Sequence, residues 1–259
     1  MPTLKQSASE WCYYRDSFTP AAYYGSLKQM GYTGVEMVDP SRYAAAHAAG
    51  LEIVDISAPG MEVGLNRVEH HAELIPQIRA KLRECADNGI PNLIVFSGNR
   101  VGQHDEVGLV NVATALRQIV ADAERAKVTL LFEVLNSFDH GDYQADRSSF
   151  AFALVRAIGS ERLKVLYDLY HMHRMGERVI ESVIANLDLV GHLHIAGAPK
   201  RDFPGPGQEM DYGPIVRAIH GAGYRGYWGQ EFIPGADPMD ELKRAQALFE
   251  GAVTASARG

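Results

Sequence analysis

The sequence predicts an α/β fold, a (β/α)8 TIM barrel in a single domain over residues 1–259, with its active site at the C-terminal ends of the strands. Three observations predict it. Short apolar runs alternate with long segments of helical period along the whole chain. Eight such units fit the 259 residues, with no low-complexity stretch, charge block or Pro/Ser linker in the middle. The first strand is not followed by the glycine-rich turn that announces a doubly wound open sheet, the runner-up architecture.

A weak first strand falls at 4–8, and apolar runs follow at 34–38 and 51–56. The segment 67–88 then carries Val68, His71, Ile75, Ile78, Leu82 and Cys85 on one stripe. Their steps of three and four are those of a helix packed on one face, and Asn88-Gly89 ends it. After a strand at 92–96, the segment 105–127 repeats the pattern with Leu109, Val112, Ala113, Leu116, Ile119, Val120 and Ala123. Strands at 128–135, 163–167, 189–195 and 226–230 complete the set, the last preceded by the helix-ending Gly221-Ala222-Gly223. Because the runs are apolar on both faces, they read as buried, parallel strands.

Composition excludes several classes. No run of about 18 apolar residues is present, so no membrane span is expected. The first residues lack the basic start and apolar core of a signal peptide. Two cysteines, Cys12 and Cys85, do not make a disulfide scaffold, and a reduced cytoplasm is expected. A net charge of −7, from 32 acidic against 25 basic residues, argues against a nucleic-acid partner.

The later strands end in a pattern. The run at 128–132 leads into Glu133, that at 163–167 into Asp168, that at 189–193 into His194, and that at 226–230 into Glu231. In a barrel these ends face one mouth. Three carboxylates there repel one another unless a cation or protons compensate them. A divalent metal is the economical solution. Three oxygen donors and one imidazole suit Mn²⁺, Mg²⁺ or Co²⁺, with Zn²⁺ possible, and no HExxH or Cys set is present. A single acid after a strand is ordinarily a solvated loop residue or a helix N-cap; four in successive strands are harder to obtain by chance.

At these residues the sequence resembles the xylose isomerase-like barrel superfamily, and within it the hydroxypyruvate isomerase and ketose 3-epimerase families. The stretches are PGMEVGLNRVEHH at 59–71, EVLNSFDHGDYQAD at 133–146, LYDLYHMH at 166–173, GHLHIAG at 191–197 and GQEFIP at 229–234. The resemblance implies that Glu133, Asp168, His194 and Glu231 ligate one divalent metal, and that Glu133 and Glu231 carry out proton transfer. It implies that His171 and Arg201 touch substrate. Asp139 stands where the 3-epimerases place a glutamate on a substrate hydroxyl. His194 and the Pro204-Gly205-Pro206-Gly207 loop follow the epimerases, whereas 59–71 follows the hydroxypyruvate isomerases.

Two carboxylates flanking a polarised carbonyl abstract and return a proton through an enediolate. Return to the neighbouring carbon isomerises; return to the opposite face of the same carbon epimerises. The expected partner is a small hydroxy-carbonyl substrate, with no nucleic acid or membrane, in a cytoplasmic protein; the resemblance implies that it can form a homo-oligomer. Two other readings stand beside the enzyme: a nuclease of the same superfamily, disfavoured by the acidic charge, and a silent metal- or sugar-binding barrel. Among the remaining residues, His192 reads as a packed barrel histidine. His70 and His71 read as solvated or capping groups, and Cys85 as core. Trp11, Cys12, Tyr13 and Tyr14 read as a pocket wall or a core cluster, and His140 and Tyr143 as lid or surface.

Overall fold

The computed structural model describes residues 4–255. Along the chain lie β1 (Lys5–Ser9), α1 (Glu10–Tyr13), α2 (Pro20–Met30), β2 (Gly34–Glu36), α3 (Tyr43–Ala48), β3 (Glu52–Ile53), β4 (Asp55–Ser57), α4 (His71–Asn88), β5 (Asn92–Val95), α5 (Asp105–Ala126), β6 (Thr129–Glu133), α6 (Ser148–Ile158), β7 (Leu163–Asp168), α7 (Leu169–Arg174), α8 (Val179–Ala185), β8 (Val190–Ile195), α9 (Tyr212–Gly221), β9 (Tyr227–Gln230) and α10 (Pro238–Ala255). Packing divides them into two units, one of residues up to 54, 178–187 and 193 onward, the other of 55–177 and 188–192. No helix among the described residues is long and apolar enough to cross a membrane.

In the first unit β3, β2, β1, β9 and the end of β8 pair in that order, all parallel. The register sets Ser9 opposite Glu36 and His194 opposite Gly229. Trp228 is fully buried there, edge-on to Tyr224 and Phe249. In the second unit β4, β5, β6 and β7 pair in parallel, with Glu133 opposite Leu166. Phe132 stacks on Phe150 and Phe152 on Tyr167, fixing α6 against β6 and β7. The run expected as one strand at 51–56 is broken at Val54. Its first part pairs with β2 and its second with β5, so the described residues form nine strands where eight were expected.

The two helices read from period are present. α5 buries Val112, Ala113, Leu116, Ile119 and Ala123. α4 buries Ile75, Ile78, Leu82 and Cys85 and ends at Gly89, whose φ of 67° is left-handed. It begins four residues later than expected. A 3-10 turn occupies Val68–His70, and Val68 is 55% exposed, off the stripe. His71 is no solvated group: it is buried, with Nε2 at 2.8 Å from the Leu65 carbonyl.

The loop before α4 lies against the loop after β5. Asn66 N–H donates to the Ser97 carbonyl and Asn99 N–H to that of Glu62, both at 2.8 Å. The approach is so close that a Cβ on Gly64 would sit 2.3 Å from Gly98 N and Ser97 O. Backbone on both sides cannot yield cheaply, so Gly64→Ala is expected to destabilise the protein by about 2–4 kcal/mol, the cost of a forced backbone shift. Urea unfolding measures it; a loss within about 0.5 kcal/mol, the range of ordinary surface changes, would contradict the close approach.

Candidate active site

In the first unit the ends of β2, β8 and β9 bring together Glu36, His194 and Glu231. All three are buried. His194 lies between the two carboxylates, with Nε2 3.1 Å from Glu36 Oε2 and Nδ1 3.2 Å from Glu231 Oε2. Glu36 is itself held by the hydroxyls of Ser7 and Ser9, which donate to its two oxygens. Glu231 receives the Trp11 indole N–H at 3.0 Å on Oε1 and the Arg201 guanidinium at 2.6 Å on Oε2. The guanidinium also sits 5.4 Å from the centre of the Trp11 ring. Burial alone would raise the Glu231 pKa, but His194 and Arg201 outweigh it and hold the carboxyl down at about 2.

A neutral imidazole carries one N–H, so His194 can donate to only one of its two carboxylates. The other nitrogen then presents a lone pair to carboxylate oxygen. A proton or a cation reconciles the two. With Nε2–H on Glu36, Nδ1 and Glu231 become a ligand pair oriented by a hydrogen-bonded carboxylate behind the ring, the usual support of a metal-bound histidine.

In the second unit β6 and β7 end in Glu133 and Asp168, both buried. Asp168 caps α7, its Oδ1 accepting the His171 N–H at 2.8 Å, and its Oδ2 is 3.7 Å from His171 Nε2. The capping role and a ligand role are therefore compatible, because they use different oxygens. His171 is fully buried, and its Nδ1 accepts the backbone N–H of Asn136 at 3.2 Å. The Asn136 side chain lies 2.6 Å from the same nitrogen and donates to Asp139 Oδ2 at 3.0 Å. The Tyr170 hydroxyl donates to that Asp139 oxygen at 2.7 Å. A backbone N–H can only donate, so Nδ1 is the acceptor and neutral His171 carries its proton on Nε2.

The structure thus joins His194 and Arg201 to Glu231, and His171 to Asp168. It joins Asp139 to Asn136 and Tyr170. Tyr143, expected as lid or surface, is fully buried: its hydroxyl accepts the Ser97 N–H at 3.0 Å and donates to the Glu133 carbonyl at 3.1 Å. It is a brace behind β6, and burial pushes its pKa up. His140 packs edge-on to His171. His192 is buried, its Nε2 3.9 Å from Asp55 Oδ2. Cys12 is buried beside Glu231, and burial first, then that carboxylate, raises its pKa well out of the reactive range.

Sequence reasoning missed Glu36, Asn136 and the bond from Trp11 to Glu231. Glu36 had a signal: a lone acid inside the apolar run Gly34-Val35-Glu36-Met37-Val38. Asn136 also had one, since an asparagine three residues before Asp139 can turn the chain, and its Oδ1 accepts the Phe138 and Asp139 N–H groups.

Parallel strands alternating with helices, and ligand-type side chains at strand ends, define a TIM-barrel enzyme. The chain belongs to the xylose isomerase-like TIM barrel family, whose model matches residues 25–250. The hydroxypyruvate isomerase of Escherichia coli is 35% identical to it over 107 residues, a match that spans 41% of each chain. The 2-oxo-tetronate isomerase of Cupriavidus necator is 28% identical over 225 residues, 80% of this chain and 84% of that one. Among solved structures, an L-ribulose 3-epimerase superposes with a TM-score of 0.85 over 99% of this chain and 96% of its own, at 17% identity. That likeness shows the expected fold, a (β/α)8 barrel.

Proposed function

We propose that the protein is a metal-dependent isomerase that converts hydroxypyruvate to tartronate semialdehyde. The observation that carries the reading is the pair of buried glutamates, Glu133 at the end of β6 and Glu231 just past β9. Sequence likeness to isomerases of small keto acids supports the choice of substrate. In a barrel, strand ends face one mouth. Glu133, Asp168, His194 and Glu231 are therefore the residues we assign to one divalent ion, with Mn²⁺, Mg²⁺ or Co²⁺ preferred by the donor set and Zn²⁺ an outcome of the assay. When bound, such an ion polarises a substrate carbonyl and lowers the cost of negative charge on its oxygen.

The remaining steps belong to the chain. Glu133 takes a proton from C3 of hydroxypyruvate, and the electron pair left behind forms the C2–C3 double bond of the enediolate. Both oxygens of Glu231 are already occupied by Trp11 and Arg201, which makes it the less available base. A proton is returned to C2, the C3 hydroxyl proton passes to the oxygen on C2, which becomes the new hydroxyl, and C3 becomes the aldehyde. His171, with its proton on Nε2, offers a hydrogen bond to a substrate oxygen. Arg201 pairs its planar fork with the substrate carboxylate.

The Arg201 role has its own test. Arg201→Ala is expected to raise KM for hydroxypyruvate at least about tenfold more than KM for a neutral ketose, since a charge-assisted bond is lost only with the acid. Steady-state kinetics on both substrates measure it, and equal effects would remove the carboxylate role.

A second reading, ketose 3-epimerase, is favoured by His194 and by the Pro204-Gly205-Pro206-Gly207 loop. There Glu231 returns the proton to the opposite face of the carbon that Glu133 deprotonated. Product analysis separates the two: incubation with hydroxypyruvate and with free ketoses is expected to yield tartronate semialdehyde and no C3 epimer. An epimer alone would replace the first reading with the second.

A further inference from the structure

We propose that Trp11 is a positioning residue for Glu231, fixing the plane of its carboxylate through the indole N–H; the inference rests on the metal-ligand role assigned to Glu231 above. Trp11 is 47% exposed and borders an open cavity of about 320 Å³ with Glu10, Tyr14, Met37, Asp39 and Arg42. Packing therefore does not account for the ring's orientation. What holds it is polar: Nε1–H donates to Glu231 Oε1, and the Arg201 guanidinium lies over its face while bonding Glu231 Oε2. Each carboxylate oxygen thus has its own donor, and the two donors touch each other. Removing one leaves a carboxylate tethered at a single oxygen and able to turn about that bond.

The backbone that carries Trp11 is pinned on both sides. Glu10 is 2% exposed, a buried charge neutralised by Arg42. Its Oε1 accepts from Arg42 Nε and from the Asp39 N–H, both at 3.0 Å, and its Oε2 accepts the Tyr24 hydroxyl proton. On the other side, the Tyr13 hydroxyl accepts the N–H of Phe232, the residue after Glu231, at 3.1 Å. The turn Glu10–Tyr13 therefore grips Glu231 by its carboxylate and the next residue by its backbone. Pocket lining alone does not require an N–H on the ring; positioning does.

The chain has two tryptophans, which makes the contact visible. In ¹⁵N-tryptophan-labelled protein the Trp11 indole N–H, assigned by its loss in Trp11→Phe, is expected downfield of Trp228 and to move upfield in Glu231→Gln, while Trp228 stays in place. Trp11→Tyr supplies the assignment if the phenylalanine variant does not fold. Trp11→Phe keeps a ring for Arg201 and removes only the donor. It is expected to lower kcat about tenfold to a hundredfold, the worth of one hydrogen bond to a charged group, with KM within about twofold. An unmoved Trp11 resonance in Glu231→Gln would overturn the inference. So would an unchanged kcat, or a loss confined to KM, which would mean pocket lining. If the wild type turns over none of the substrates, the proposed activity has failed, and the resonance response alone decides whether Trp11 holds Glu231.

Discussion

Glu133→Gln is expected to abolish turnover while leaving the protein folded. The substitution keeps the size of the side chain and its place at the end of β6, and removes only its basicity. General base catalysis is worth about 10²–10⁴ in rate, so kcat is expected to fall by about 10³. The fold should tolerate the change, because glutamine is isosteric and the strand is braced by the Tyr143 hydroxyl on the Glu133 backbone carbonyl. Stopped assays on the variant and a thermal melt of both proteins make the comparison. A variant that retains more than about a tenth of wild-type kcat would show that Glu133 is not the base.

Removing the metal is expected to have the second large effect, on activity and stability together. A group that binds only the folded state stabilises it by about 2.7 kcal/mol at a hundredfold excess over its Kd. For a chain of this size that corresponds to roughly 5–10 °C in Tm. Dialysis against a chelator should therefore silence the enzyme and lower Tm by that amount, and titration with Mn²⁺, Mg²⁺, Co²⁺ or Zn²⁺ should restore both. The physical reason is visible at His194, an imidazole flanked by Glu36 and Glu231 at 3.1 and 3.2 Å, which needs positive charge or a proton to satisfy both sides. Full activity after exhaustive chelation, with no metal left by elemental analysis, would contradict a metal-dependent mechanism.

The barrel was legible in the sequence because parallel strands buried on both faces leave short, unbroken apolar runs, and because α4 and α5 keep their buried stripes over many turns. The candidate ligands were legible for the same reason: Glu133, Asp168, His194 and Glu231 are abrupt polar ends to such runs. What could not be read was set by tertiary contact. Val54 breaks the run read as one strand because β3 and β4 find different partners. Val68 fits the helical period of α4, yet the chain is still in a 3-10 turn there and the side chain faces water. Glu36 had only the signal of a lone acid in an apolar run, and its strand of three residues is too short for any period to mark its end. The bond from Trp11 to Glu231 joins residues 220 positions apart, a separation no local pattern encodes.

In the proposed reaction a carbon-bound proton of hydroxypyruvate moves by way of Glu133 at the end of β6. Proton exchange in D2O, followed by NMR on the Mn²⁺-supplemented protein, tests it most directly, with Glu133→Gln as control. Deuterium is expected to enter C3 of hydroxypyruvate while tartronate semialdehyde appears, with neither in the control. Hydroxypyruvate that stays fully protonated, in a protein shown to hold its metal, would contradict it.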